Sequence, residues 1–292
     1  MDAALLIRIA LVISVVLIVI ALGLRSTPAD ATYVLSRPRL LVRSLVAMNV
    51  IMPLIAVLLV NSFNLKTPVE VALVALAISP LPPFLPAKRL NLTSHSYIYG
   101  IVVAAAVCSI ALVPFTVWLL SLYYHSQRIA IVKVLLVVAV TVLVPLAIGL
   151  FIHRTWPARA DHLAALLTKI GMGLVILALV PVLVMEWPTL RSLVGDGTLA
   201  AAAVLSGIGL FVGHMLAGSD PEKQTVLALA TASRHPGVAV VAGISASVQA
   251  PRLVTAAVLL AFLVSMLVSA PYVNWRRRVH AAAASGAMAP SR

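Results

Sequence analysis

The chain alternates long apolar runs with short polar punctuation. Nine runs approach or exceed the roughly 20 apolar residues that a helix needs to cross a bilayer. They fall at 4–24, 40–61, 67–90, 96–122, 129–153, 163–187, 197–217, 221–247 and 252–274. Between them lie segments such as Arg25-Ser26-Thr27-Pro28 and Gly218-Ser219-Asp220-Pro221, too short to build a soluble domain. The pattern predicts an all-α integral membrane protein of about nine transmembrane helices, with one transmembrane domain over 1–275. The basic, Ala- and Ser-rich tail at 276–292 is expected to be disordered and cytoplasmic.

Two of the runs cannot be continuous helices. The third opens Thr67-Pro68-Val69-Glu70, which reads as a capping box with proline at the first helical position. It then meets Pro80, Pro82, Pro83 and Pro86, each lacking an N–H and clashing with the preceding turn. The break falls about 18 Å along the helix axis, at membrane depth. The eighth run opens Asp220-Pro221-Glu222 and is interrupted by Ser233-Arg234-His235-Pro236-Gly237. Pro68 and Pro83 are 15 residues apart, as are Pro221 and Pro236. The two openings fall on opposite faces, so the plan is an inverted-topology repeat of about 4–122 and 129–274. Interrupted helices in matching positions of two halves point to a transporter's binding site. Ordinary proline kinks are the competing reading, and Pro53, Pro114, Pro145 and Pro181 suit it. Gly207, Gly209 and Gly213 suggest close helix packing, and Trp118, Trp156, Trp187 and Trp275 sit at run ends as an interfacial belt.

Composition supports the membrane assignment. The chain is 62% apolar and 10% charged, against roughly half and a quarter in soluble domains. Mean hydropathy is +1.12. The net charge of +13 sits mostly in the short loops. In a nine-span topology fourteen Lys and Arg residues lie on one face and five on the other. That bias places the chain in the cell membrane as a multi-pass protein, N-terminus outside and C-terminus cytoplasmic. Nucleic acid is excluded as a partner, because no basic stripe carries the interleaved aromatics that stacking requires. The single cysteine, Cys108, forms neither an intrachain disulfide nor a zinc site, and no cofactor is indicated. The first run lacks the basic n-region of a signal peptide, and Arg25 stands where a small-residue cleavage site would be.

Arg37-Pro38-Arg39, Met48 to Pro53, Ile78-Ser79-Pro80 and Gly237-Val238-Ala239 together resemble segments of the bile acid:sodium symporter family. The resemblance spans nearly the whole chain, one N-terminal helix short of the ten-helix members. It implies two crossed, broken helices in a core domain that moves against a panel domain. It also implies sodium ligands, and here the residues depart. The family's Ser-Asn pair is replaced by Leu85 and Pro86, and its Glu and Gln-Asn by Ala230, Arg234 and His235. A fixed cation in that space opposes sodium, by about 4 kcal/mol at 4 Å and an effective dielectric of 20.

The candidate substrate- or ion-binding residues are therefore Ser79, Pro83, Phe84, Lys88, Thr231, Ser233, Arg234, His235 and Gly237. Arg234 lies deep in an apolar run, where a cation costs about 3 kcal/mol on insertion scales. Three roles stay open for it: bonding carbonyls freed by the breaks, capturing a carboxylate with its planar fork, or snorkelling to an interface. Lys88 is placed to snorkel toward the cytoplasm. The eight acids all lie near run ends, so proton coupling would need His235 or His214. The function expected is secondary active transport of a small organic anion by alternating access, with sodium and protons as candidate coupling ions and the bilayer as partner. A channel or sensory module on the same core is the alternative. An enzyme would need converging acids and histidines that the sequence does not supply.

Overall fold

The computed structural model describes residues 3–79, 95–124, 131–195, 197–246 and 251–287. The described residues are helical or connecting, with no strand among them. Six segments are long and apolar enough to cross a membrane: Pro38–Ser62, Leu135–Thr155, Pro157–Ser192, Thr198–Leu216, Pro221–Ile244 and Pro251–Ala281. Ile9–Leu24, Thr67–Ile78 and Ser96–Leu112 are shorter apolar helices. Two of these three border the stretch 80–94, which lies outside the described residues.

In chain order the elements are α1 (Ala3–Leu24), α2 (Pro28–Thr32) and α3 (Pro38–Leu45), which runs through a π-helical segment π1 (Val46–Ile51) into α4 (Met52–Ser62). Next come α5 (Thr67–Ile78), α6 (His95–Tyr124) and α7 (Ile131–Val138), continued through π2 (Ala139–Leu143) into α8 (Val144–Thr155). The chain closes with α9 (Pro157–Ser192), α10 (Thr198–Leu216), α11 (Pro221–Ala232), α12 (Pro236–Ala246) and α13 (Pro251–Ala287). Each π segment ends just ahead of a proline, Pro53 or Pro145. The wider turn accommodates a ring that would otherwise strike the preceding carbonyls, so these prolines do not interrupt their helices.

Packing follows the small residues. Gly23 of α1 and Gly149 of α8 let two backbones touch: a Cβ on Gly149 would lie 2.3 Å from the Ile20 carbonyl oxygen. On α10, a Cβ on Gly213 would sit 2.5 Å from the Leu227 carbonyl oxygen, and one on Gly209 would lie 2.9 Å from Ala232 Cα. Gly207 has nothing within 4 Å, so only two of the three expected glycines seat α11. One apolar cluster, with Ala21, Leu24, Ala160 and Ala164, joins α1 to α9. Two larger clusters surround α5, α11 and α12. Burial grades accordingly: 67% of the apolar window of Pro221–Ile244 is buried inside the protein, against 17% for α9. The interrupted segment is thus the most enclosed of the six, and α9 turns most of its apolar surface outward.

Two expectations are corrected. The start of α5 is not a capping box: Lys66 occupies the N-cap position with no side-chain hydrogen bond, and Thr67 is already helical. The tail is not disordered from 276 onward, because α13 continues to Ala287. Arg276 is the reason. It is 4% exposed, and its guanidinium bonds the Thr225 hydroxyl and the Pro221 carbonyl at the start of α11.

Candidate functional site

The site begins with two helices that stop. Pro80 disfavours helical geometry in the residue before it, and α5 ends at Ser79 with φ −70° and ψ 148°. The Ser79 hydroxyl turns back to donate to the Leu76 carbonyl at 2.8 Å, and its N–H reaches the Ala75 and Leu76 carbonyls. The last turn of α5 is satisfied locally, and the Ser79 carbonyl is left pointing out of the helix.

In the second interruption α11 ends at Ala232, with Ser233 extended at φ −90° and ψ 133°. Ser265 of α13 donates to the Ala232 carbonyl at 3.1 Å, taking one orphan acceptor of that helix end. Helix α12 restarts at Pro236, whose missing N–H costs nothing at a first helical position. Arg234 and His235 therefore stand on non-helical backbone, and both are buried, at 6% and 4% exposure.

The Arg234 guanidinium joins the end of α5 to the break between α11 and α12. One terminal nitrogen donates to the Ser79 carbonyl at 3.2 Å, and the other donates to the carbonyl of Met48 in π1. The Met48 acceptor has a structural origin. In π register its donor would be residue 53, and Pro53 has no N–H to give. Snorkelling is thereby ruled out for Arg234, whose charge stays at the junction. Among the described residues no carboxylate lies within ion-pair distance of it: Asp220 pairs with Lys223 and Glu186 with Arg252, away from the junction.

Two donors at this junction remain open. Arg234 Nε is buried without a hydrogen-bond partner, and so is His235 Nε2. The Val238 N–H donates to His235 Nδ1 at 3.4 Å, which assigns the proton of the neutral ring to Nε2. Beside Arg234 is a cavity of about 20 Å³ lined by Met52, Leu76, Ser206, Phe262 and Ser265 among others. That is room for about one water molecule.

Of the nine residues expected at the site, Ser79 and Arg234 are in direct contact, and His235 adjoins Gly237, where a Cβ would meet the imidazole at 3.3 Å. Ser233 caps α11 with its backbone N–H on the Leu229 carbonyl. Thr231 is fully buried, but its hydroxyl donates to Leu227 within its own helix at 2.8 Å and does not serve the junction. Pro83, Phe84 and Lys88 lie outside the described residues. Met48, Ser206 and Ser265 belong to the site and were not anticipated. The signal for Met48 was Pro53, five residues later, whereas the serines carry no local signature.

A protein-family comparison decides the affiliation: the model of the Sodium Bile acid symporter family matches residues 12–193, more than half of the chain. The chain belongs to that family. No curated protein matches it. Family membership, with the apolar helices, makes this a multi-pass membrane protein of a transporter family. The matched stretch contains α5 and the Met48 and Ser79 carbonyls of this symporter-family protein, and it ends before α11. Arg234 and His235 thus stand in the part that the family comparison does not cover.

Proposed function

We propose that this symporter-family protein is a secondary transporter that carries a small organic anion by alternating access. The observation that carries the reading is the junction itself: a buried guanidinium with Nε open, next to an imidazole with Nε2 open. Two enclosed donors and a net positive charge suit a carboxylate or sulfonate, which a guanidinium binds with short, charge-assisted hydrogen bonds. The adjoining cavity, at about 20 Å³, has room for about one water molecule. The anion therefore enters when the junction opens, as a gated carrier requires and a standing pore does not.

The architecture we assign is nine spans in a single transmembrane domain, with α5 and α11–α12 as crossed, broken helices. The separate packing of α1, α8 and α9 supports a panel, and the clusters around α5, α11 and α12 support a core. Contacts among same-face residues support the charge-derived topology. Lys66 bonds the Ser192 carbonyl and Arg252 pairs with Glu186 on the outer side, while Arg276 bonds Pro221 on the cytoplasmic side.

The test is thermal stabilisation of the purified protein by a panel of small carboxylates and sulfonates, followed by counterflow in proteoliposomes for any that stabilise. One anion class is expected to stabilise the wild type and not Arg234→Ala, and to show saturable counterflow. Stabilisation retained in Arg234→Ala, or flux that never saturates, defeats the reading.

A further inference from the structure

We propose that Arg234 is a resident cation, standing where a symporter would bind a dissociable one, and that this carrier cycles without sodium. The inference rests on the transporter reading above and concerns how that site is charged.

A sodium ion held by protein needs several oxygen ligands, and interrupted membrane helices supply them as carbonyls freed from helical hydrogen bonding. This fold frees two such oxygens at one point. Ser79 presents one because Pro80 ends α5, and Met48 presents the other because Pro53 cannot donate to it. Both are already bound by the guanidinium of Arg234. The Ser265 hydroxyl is committed to Ala232, and the Ser206 hydroxyl to Ala202 at 2.9 Å. No carboxylate among the described residues approaches to offset a second positive charge. The oxygens of a cation site are present, but their occupant is covalent. The residues therefore do not fit sodium, although the family's name includes it.

The guanidinium also explains how two mid-membrane helix breaks hold together. Each loose carbonyl in a low-dielectric interior demands a donor. A planar fork with two terminal nitrogens satisfies both at once and fixes the distance between α5, π1 and the second interruption. In a symporter a bound ion holds such elements only while it is present. Here the link is part of the chain and does not leave with an ion.

The experiment needs no substrate, so it can fail independently of the anion reading. Melting of purified wild type, Arg234→Lys and Arg234→Gln is compared in sodium, potassium and N-methylglucamine chloride, with and without millimolar ethylguanidinium. Binding of radioactive sodium is measured in parallel. Wild type and Arg234→Lys are expected to melt identically in the three salts and to bind no sodium. Arg234→Gln is expected to melt lower and to regain stability with ethylguanidinium. Sodium-specific stabilisation or sodium binding in the wild type overturns the proposal. So does an Arg234→Gln protein as stable as the wild type, since the guanidinium would then hold nothing. Should that variant fail to insert, the wild-type and Arg234→Lys sodium measurements decide the question alone. Anion panels that find no substrate, with these results intact, would count against the transport reading only.

Discussion

Arg276 donates through Nε to the Thr225 hydroxyl at 2.7 Å, so the C-terminal helix is fastened to the first turn of the broken one. His280 Nε2 meets the same oxygen at 3.0 Å, one turn further along α13. Sequence pattern makes Arg276, Arg277 and Arg278 equivalent anchors of topology. The structure separates them, because Arg276 alone of the three is buried.

Removing Arg276 should therefore cost more than its charge. Arg276→Ala is expected to lower stability by about 2–3 kcal/mol, the range for a charge-assisted hydrogen bond lost from an enclosed site. Arg277→Ala removes the same charge from the same face and should fall within about 0.5 kcal/mol of the wild type. Parallel denaturation of the two purified variants checks this, and equal effects would return Arg276 to the role of a simple anchor.

Close packing gives a second contrast on a single helix. A Cβ at position 213 meets the Leu227 carbonyl at 2.5 Å and Ala228 Cα at 2.6 Å, and both are backbone atoms that cannot swing away. Gly213→Ala should destabilise by about 1–3 kcal/mol through overpacking. Gly207→Ala, with open space around it, should be neutral or slightly stabilising because alanine favours helix. Thermal melting of both variants tests the assignment of α10's packing face.

The helices were legible because lipid imposes one rule: a spanning segment must be apolar and internally hydrogen-bonded. The end of α5 and the break between α11 and α12 were legible because proline announces a missing donor. The partners of Arg234 were not, since Met48 and Ser79 act through backbone carbonyls that every residue possesses. The α5 cap misled for a related reason. Thr67 and Glu70 have the right spacing, but the chain enters the helix one residue earlier and neither side chain reaches back. The tail misled because alanine and serine runs say nothing about Arg276, whose buried bonds hold α13 in place.

Asp220 offers a pH test outside the apolar segment. Burial pushes its carboxyl up, but the Lys223 ammonium at 2.8 Å and the N–H groups of Lys223 and Glu222 outweigh that and leave it below the usual value. A carboxylate depressed on folding stabilises above its unfolded pKa of about 3.9 and loses that contribution as pH falls through the folded value. Asp220→Ala should cost about 1 kcal/mol at neutral pH through the lost N-cap. Asp220→Asn keeps the cap and should lose less, because a half-exposed ion pair is worth under about 1 kcal/mol. Melting curves should show the wild type and Asp220→Asn converging below about pH 4.

His235 is buried with Nδ1 accepting from Val238, the arrangement of a neutral hydrogen-bond donor. His235→Gln keeps a donor in that place, so the pH profile of uptake between about pH 6 and pH 8 should be unchanged. His235→Leu should weaken anion stabilisation at every pH. A profile flattened by the glutamine variant would instead make His235 the proton carrier.

A fixed charge at the junction also constrains the transport cycle. With a monoanion bound, Arg234 is neutralised and the loaded core carries no net charge at that point. Without the anion, the return step moves an unpaired guanidinium through a low-dielectric barrier, where ionic groups are costly. Exchange of one anion for another should therefore outrun net uptake. It should also be insensitive to membrane potential, because neither loaded step moves net charge. Net uptake should respond to potential by up to about 2.3 kcal/mol per 100 mV, the limit for one charge crossing the whole field. Proteoliposomes clamped with potassium and valinomycin measure both modes in the same preparation. Equal rates and equal voltage responses in the two modes would mean that Arg234 does not travel through the field, and that the anion is held by groups other than this guanidinium.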